Sequence, residues 1–211
     1  HRIDGETIQA GEVVASLHGS TKSILTGERA ALNFLQHLSG IATLTKAFCD
    51  AIREYPTKIL DTRKTTPGLR RLEKWAVTMG SGMNHRMSLG DGILIKDNHI
   101  ATLRSRGMDV TEICGLAKAK GPHGLQICVE IESLDEIEQA IEGQATVLLL
   151  DNMPSEVVRQ AVSQIKGRAI VEVSGGITID NIRDFAATGA NYISIGALTH
   201  SAPAVNMSLE I

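Results

Sequence analysis

The sequence predicts an α/β fold on a parallel sheet, with the layout of an α/β barrel. Three observations lead there. From residue 57 onward strand-like and helix-like runs alternate, which makes successive strands parallel. The later strands start about 20 residues apart, tight spacing for repeated strand-helix units. Each apolar run then ends in polar residues or glycine, so chemistry is offered at the carboxyl end of every strand, where barrel enzymes keep it. An open doubly wound sheet would gather such residues at one switch point, and no G-x-G-x-x-G follows a first strand. Closure of the barrel has no signature in the residues.

The elements follow in order. Residues 1–14 read as two short strands around turns, and a chain opening on His1 in mid-pattern reads as a processed or truncated start. Residues 26–54 read as a helix, because Ala31, Phe34, Leu35, Leu38, Ile41, Thr45, Phe48 and Ile52 recur at three- and four-residue steps. Ser39-Gly40 is placed to bend or divide it, and Pro56 ends it. Strands are expected over Lys58–Asp61, Gly92–Lys96, Leu125–Ile131, Thr146–Leu150, Ala169–Val173 and Tyr192–Ile195. Between the later ones lie helical stripes: Leu134, Ile137 and Ile141; Val157, Val158, Ala161, Val162 and Ile165; Ile179, Ile182, Phe185 and Ala186. Pro154 suits a first helical turn, and Gly143 and Gly189 suit helix ends.

Composition narrows the function. The net charge of −3 and 3% aromatic content argue against a nucleic-acid binder. No apolar run is long enough for a bilayer, and no basic-then-apolar leader is present. Cys49, Cys114 and Cys128 have no C-x-x-C spacing, so a cytoplasmic location is the expectation. The charge is uneven: Thr57–His99 carries +4, which suits a small anionic ligand. By charge count alone, a solvated face is the simpler account.

The strand ends supply the candidate chemistry. Ser174-Gly175-Gly176 and Gly196-Ala197 follow the last two strands, where barrels commonly hold a phosphate. A helix expected to start near Thr178 would turn its positive end toward the same place. Arg63, Lys64, His85, Arg86 and Lys96 gather cations that outnumber nearby acids, favouring a ligand with more than one negative group. Glu130 and Asp151 are available for acid–base work, for Mg²⁺ through waters, or for a cationic sugar transition state. Ion pairing with the basic cluster is the plainer alternative. His85, His99 and His200 lack zinc-ligand spacing, and no cysteine has a histidine partner in sequence.

Several segments together carry a resemblance. They are Gly27–Asn33 (GERAALN), Leu38–Thr43 (LSGIAT), Leu60–Gly68 (LDTRKTTPG), Asn84-His85-Arg86, Leu94–His99 (LIKDNH), Leu150-Asp151-Asn152, Ser174-Gly175-Gly176 and Gly196–Ser201 (GALTHS). In this order, from about Gly5 to Ile211, they resemble the quinolinate phosphoribosyltransferases. The resemblance implies an open, incomplete α/β barrel with the remnant of an N-terminal α/β sandwich. Residues 1–25 would be the truncated end of the sandwich, 26–200 the barrel, and 201–211 a segment returning to the sandwich. Two departures are Ser81, where the family more often has glycine, and Gly90 and Gly92 flanking Asp91.

The resemblance also implies the reaction. A pentosyltransferase would move phosphoribosyl from phosphoribosyl pyrophosphate to quinolinate with loss of CO₂, giving nicotinate mononucleotide and pyrophosphate for NAD biosynthesis, with Mg²⁺. Arg63, His85 and Arg86, with Thr62, would hold the dicarboxylate. Lys64 and Lys96 would bridge substrate and pyrophosphate. Glu130 and Asp151 would face the ribose and Mg²⁺, and Ser174, Gly175, Gly176, Ile195, Gly196 and Ala197 would take the 5-phosphate. Arg29 would complete the site of the other subunit of a homodimer. The alternatives are a related phosphoribosyltransferase of the molybdate-associated type and a non-catalytic phosphate-binding barrel.

Overall fold

The structure, a computed structural model, describes residues 1–211. All six expected strands form: β1 (Lys58–Leu60), β2 (Ile93–Ile95), β3 (Ile127–Ile131), β4 (Val147–Asp151), β5 (Ile170–Ser174) and β6 (Tyr192–Ser194). They make one parallel sheet in the order β1-β6-β5-β4-β3-β2. The strands thus follow the chain around an arc and stop short of a ring, because β1 and β2 are both edges. An open parallel edge leaves backbone groups unpaired. The segment after β1's helix covers one of them: Met83 N–H donates to Ile59 O (2.8 Å) and Asp61 N–H to Met83 O (3.1 Å). The Arg86 guanidinium reaches across the remaining seam to Gly92 O at 3.0 Å. The barrel is open, and its seam is plugged by a loop that carries site residues.

Strand alternation separates two faces. Val129, Ile131, Leu148, Leu150, Val171 and Val173 face outward and join the main buried core under the helices. Cys128, Val147 and Leu149 form a smaller inner cluster with Leu94 and Ile170. Register sets what lies above it. Glu130 pairs with Leu149, Leu149 with Glu172, and Glu172 with Tyr192, so two carboxylates share one inner row. The next row toward the mouth holds Asp151, Ser174 and Ser194.

The helices are α1 (Thr21–Ala51), α2 (Arg70–Met79), α3 (Asp97–Arg104), α4 (Val110–Lys120), α5 (Glu136–Glu142), α6 (Ser155–Ile165), α7 (Ile182–Ala186) and α8 (Ala197–His200). None is long and apolar enough to cross a membrane. Helix α1 starts earlier than its apolar stripe suggests and runs unbroken through Ser39-Gly40. Gly40 serves a close approach instead of a bend: a Cβ there would sit 2.1 Å from Pro203 O. Residues 204–207 run along this helix, with Val205 N–H on Gln36 O (3.0 Å) and Gln36 Nε2 on Met207 O (2.8 Å).

Three local expectations are corrected. Residues 1–14 contain no strand. Their amides are spent in turns, Glu6 and Glu12 accepting from the N–H of Ile3 and Gln9, and a single backbone bond, Arg2 N–H to Val14 O, links the two arms. The helix expected near Thr178 begins at Ile182, because Asn181 Oδ1 takes the Thr178 N–H (2.8 Å) and holds the intervening residues in a turn. Pro154 stands just before α6 instead of inside its first turn. Ser81 has φ +70°, the region that favours glycine, so its serine occupies a conformation that a Cβ makes costly.

Candidate active site

The site is assembled from behind by α2. Asp61, the residue after β1, is fully buried against Lys74, also fully buried, and the two form an ion pair. Asp61 Oδ1 also accepts the His85 N–H (2.9 Å), and Lys74 Nζ donates to His85 O (3.1 Å). With its amide oriented to satisfy its neighbours, Asn84 donates to Asp61 Oδ2 at 2.6 Å. Burial pushes the Asp61 carboxyl up, and the Lys74 ammonium opposes that shift. Asp61 therefore ties the Asn84–Arg86 segment to the end of β1. Its neighbour in α2, Glu73, is equally buried and accepts from His37 Nε2 (2.8 Å) and the Thr66 N–H (3.0 Å). Arg70 donates to Arg63 O and to Met87 O, both at 3.2 Å. One helix thus clamps both cation-bearing loops.

Those loops present the cations. Arg63, Lys64 and Arg86 make no ion pair with any carboxylate of the chain. Burial, and then the charge of Arg63, pushes the Arg86 guanidinium down from its usual value, while Glu130 and Glu172 pull it back. Lys96 does have a partner, Glu130 Oε1 at 3.3 Å, and Glu130 Oε2 accepts the Asp97 N–H at 2.9 Å. His85 Nε2 lies 3.3 Å from Glu172 Oε2. Below these groups, along the seam, a cavity of about 460 Å³ is lined by His85, Arg86, Cys128, Glu172 and Tyr192 among others. Burial, with Glu172 and Glu130 nearby, pushes the Cys128 thiol far up, so it stays a neutral thiol.

The glycine loops form the opposite side of the mouth. Gly175 (φ +87°) and Gly176 (φ +63°) both occupy the left-handed region. A Cβ on Gly175 would lie 2.2 Å from Asn152 Oδ1, so the turn also needs the missing side chain for space. The N–H groups of Gly175, Gly176 and Gly196 donate to no backbone or side-chain acceptor, and they stand open to an anion. Helix α7 adds little, being short and starting late. At Gly196 an added Cβ would crowd the Lys64 side chain and His200, both at 3.1 Å. Thr199 Oγ1 donates to Lys64 O at 2.7 Å, so α8 pins the loop that bears Lys64.

Asp151 ends β4 with its side chain exposed, and Asn152 Nδ2 donates to it (2.8 Å). No group of three or more His, Cys, Asp or Glu side chains is arranged to hold a metal ion. Magnesium ordinarily needs only one or two carboxylates when substrate phosphates and water complete its shell. Glu130 and Asp151, hard oxygen donors on adjacent strands, suit that role.

Three predicted residues behave differently. Ile195 turns its side chain into the main core and donates its N–H to Leu60 O (2.9 Å), so it shapes the strand end. Thr62 Oγ1 accepts the Lys64 N–H (3.1 Å). Arg29 sits near the start of α1, exposed, with Glu28 at 3.8 Å as its sole ion-pair neighbour. Sequence reasoning missed Glu172, Lys74 and Asn152 as site-building residues. A charged residue between Val171 and Val173 was the available signal for the first.

Comparison with known proteins agrees with this layout. The family model "Quinolinate phosphoribosyl transferase, N-terminal domain" matches residues 1–39, and "Quinolinate phosphoribosyl transferase, C-terminal domain" matches residues 41–210. A probable nicotinate-nucleotide pyrophosphorylase [carboxylating] of Bacillus subtilis is 45% identical, over 100% of this chain and 72% of its own length. The nicotinate-nucleotide pyrophosphorylase [carboxylating] of Mycobacterium leprae is 40% identical, over 99% of this chain and 72% of its own. The crystal structure of NadC from Streptococcus pyogenes superposes with a TM-score of 0.92 at 43% identity, covering 98% of this chain and 71% of that one.

Proposed function

The chain belongs to the quinolinate phosphoribosyltransferase family, and from that premise we propose which of its residues carry each part of the reaction. The activity is transfer of phosphoribosyl from phosphoribosyl pyrophosphate to quinolinate with decarboxylation, yielding nicotinate mononucleotide, pyrophosphate and CO₂ in NAD biosynthesis. The observation that carries this assignment is the pair of family matches in order along one chain, over the same strand ends that line the mouth.

Quinolinate is a dianion, and Arg63 and Arg86 have no carboxylate partner within the chain, so binding it pairs both without breaking an existing ion pair. His85, held beside Arg86, completes that pocket. Lys64 and Lys96 face the pyrophosphate, and the open amides of Gly175, Gly176 and Gly196, with the Ser174 hydroxyl and the Ala197 turn, receive the 5-phosphate. Glu130 and Asp151 stand at the ribose, where carboxylates stabilise the positive charge that develops at C1 as pyrophosphate departs. Glu130 and Asp151 would hold Mg²⁺ together with substrate oxygens, and the ion would supply charge neutralisation for the departing pyrophosphate. Once the ring nitrogen is alkylated it is cationic and accommodates the electron pair left by CO₂, so the chain needs no electron-sink group.

A homodimer in the cytoplasm is part of the same reading, with Arg29 entering the partner's mouth. Its exposure, with Glu28 as its one ion-pair neighbour, supports that role. The test is release of CO₂ from carboxyl-labelled quinolinate with phosphoribosyl pyrophosphate and Mg²⁺. Release dependent on both substrates is expected. Turnover of nicotinate instead would favour the related phosphoribosyltransferase, and no turnover with retained phosphate binding would favour the non-catalytic barrel.

A further inference from the structure

Glu172 is the one carboxylate inside the barrel to which the reaction above gives no task. It is 3% exposed, and it has no lysine or arginine in ion-pair contact. A carboxylate held in such a place is costly unless it is hydrogen-bonded or does something. Its one ion-pair neighbour is His85, whose Nε2 lies 3.3 Å from Glu172 Oε2. The other ring nitrogen is also engaged: Arg86 N–H donates to His85 Nδ1 at 2.7 Å. These contacts leave one consistent tautomer. Nδ1 must carry a lone pair to accept from Arg86, which leaves the proton on Nε2, and the atom 3.3 Å from Nε2 belongs to a carboxylate that can only accept.

We propose that Glu172 is a positioning residue of the phosphoribosyl transfer: it holds His85 as the Nε2–H tautomer, so that Nδ1 fixes the backbone of Arg86 and aims its guanidinium at the substrate carboxylate. The relay runs Glu172 Oε2, His85 Nε2, His85 Nδ1, Arg86 N, and it ends on a side chain already anchored to Gly92 O across the seam. A carboxylate is suited to this and an amide is not. Glutamine can turn its NH₂ toward Nε2, which stabilises the Nδ1–H ring and breaks the Arg86 contact. Exchanging a carboxylate for an amide behind a histidine is known to act through the wrong tautomer in this way.

The proposal rests on the functional reading above, and the experiment separates the two. Long-range ¹H–¹⁵N spectra of the ¹⁵N-histidine chain above pH 7.5 or so, beyond the usual histidine range, report which ring nitrogen carries the proton. The His85 signal is identified by its loss in His85→Gln. Wild type is expected to be Nε2–H. Glu172→Gln is expected to gain Nδ1–H and to raise the quinolinate KM roughly tenfold or more, the scale at which a partner behind a binding group acts. The KM for phosphoribosyl pyrophosphate is expected to stay put. Glu172→Asp, which can still only accept, keeps the wild-type tautomer. In a His85→Ala background the Glu172→Gln effect on quinolinate should vanish. An Nδ1-protonated wild-type ring overturns the proposal. So does an unchanged tautomer and KM in Glu172→Gln, or an equal KM effect without His85. Should Glu172→Gln not fold, the wild-type and Glu172→Asp spectra decide. A wild-type chain without turnover defeats the functional reading, while the spectra still judge this proposal.

Discussion

Lys74 and Asp61 form an ion pair in which neither side chain has any solvent exposure. The pair lies behind the mouth, and through Asp61 it holds the His85 amide. Removing one partner strands the other as a buried charge. Lys74→Met is therefore expected to lower stability by about 3–5 kcal/mol in chemical denaturation. Adding Asp61→Leu should recover part of the stability but none of the activity, because the Asn84–Arg86 segment stays untethered. A Lys74→Met chain as stable as wild type would remove the pair from this role.

Arg86→Ala should weaken quinolinate binding by roughly 2–5 kcal/mol, the cost of leaving a desolvated carboxylate unpaired. Arg86→Lys should recover only part, since a single ammonium cannot reproduce the fork. Titration of quinolinate into each variant measures this, and unchanged affinity in Arg86→Ala would take the residue out of the pocket.

Gly175→Ala combines two penalties, a Cβ 2.2 Å from Asn152 Oδ1 and a φ of +87°. A loss of about 1–3 kcal/mol in stability is expected from the forced backbone conformation. In steady-state kinetics the KM for phosphoribosyl pyrophosphate should rise more than that for quinolinate. Equal changes in both would mean that the loop does not hold the 5-phosphate.

Asp91 ties the seam loop by accepting the N–H groups of Met87 (2.9 Å) and Ser88 (2.8 Å). The Ser88 amide, first among these donors, holds its carboxyl below the usual aspartate value. The folded state therefore binds its proton more weakly than the unfolded chain does. The contribution is present above the ordinary aspartate value and lost as pH falls through the depressed one. Amide shifts of Met87 and Ser88 should titrate with a midpoint below the usual range, and Asp91→Asn should abolish the titration. A midpoint at or above the ordinary value would contradict this.

Arg29 can be tested by complementation. An inactive Arg29→Ala chain mixed with an inactive Lys96→Ala chain should regain a fraction of wild-type activity after subunit exchange, because a mixed dimer has one intact site. Demonstrated exchange without recovery would mean that Arg29 serves its own chain or lies outside the site.

The sequence by itself determined the strands, the cationic mouth and the family. Each depends on near neighbours in the chain: alternation with helices, the ends of apolar runs, and short motifs such as D-T-R-K and S-G-G. It did not reveal why Asp61 ends its strand, because its partner Lys74 is one turn into a helix that reads from sequence as a solvated charged stretch. It hid Glu172 for a related reason. Its charge between two valines is the one local signal, and only register, which sets Glu172 beside Leu149 and Tyr192, turns it into the barrel. Ser39-Gly40 reads locally as a place for the helix to bend or divide, because the carbonyl that requires the glycine belongs to Pro203. In all three cases the deciding contact joins segments far apart along the chain or on different elements. Burial and charge pairing across such distances are settled when the sheet curves and the helices close over it, and no local pattern records them.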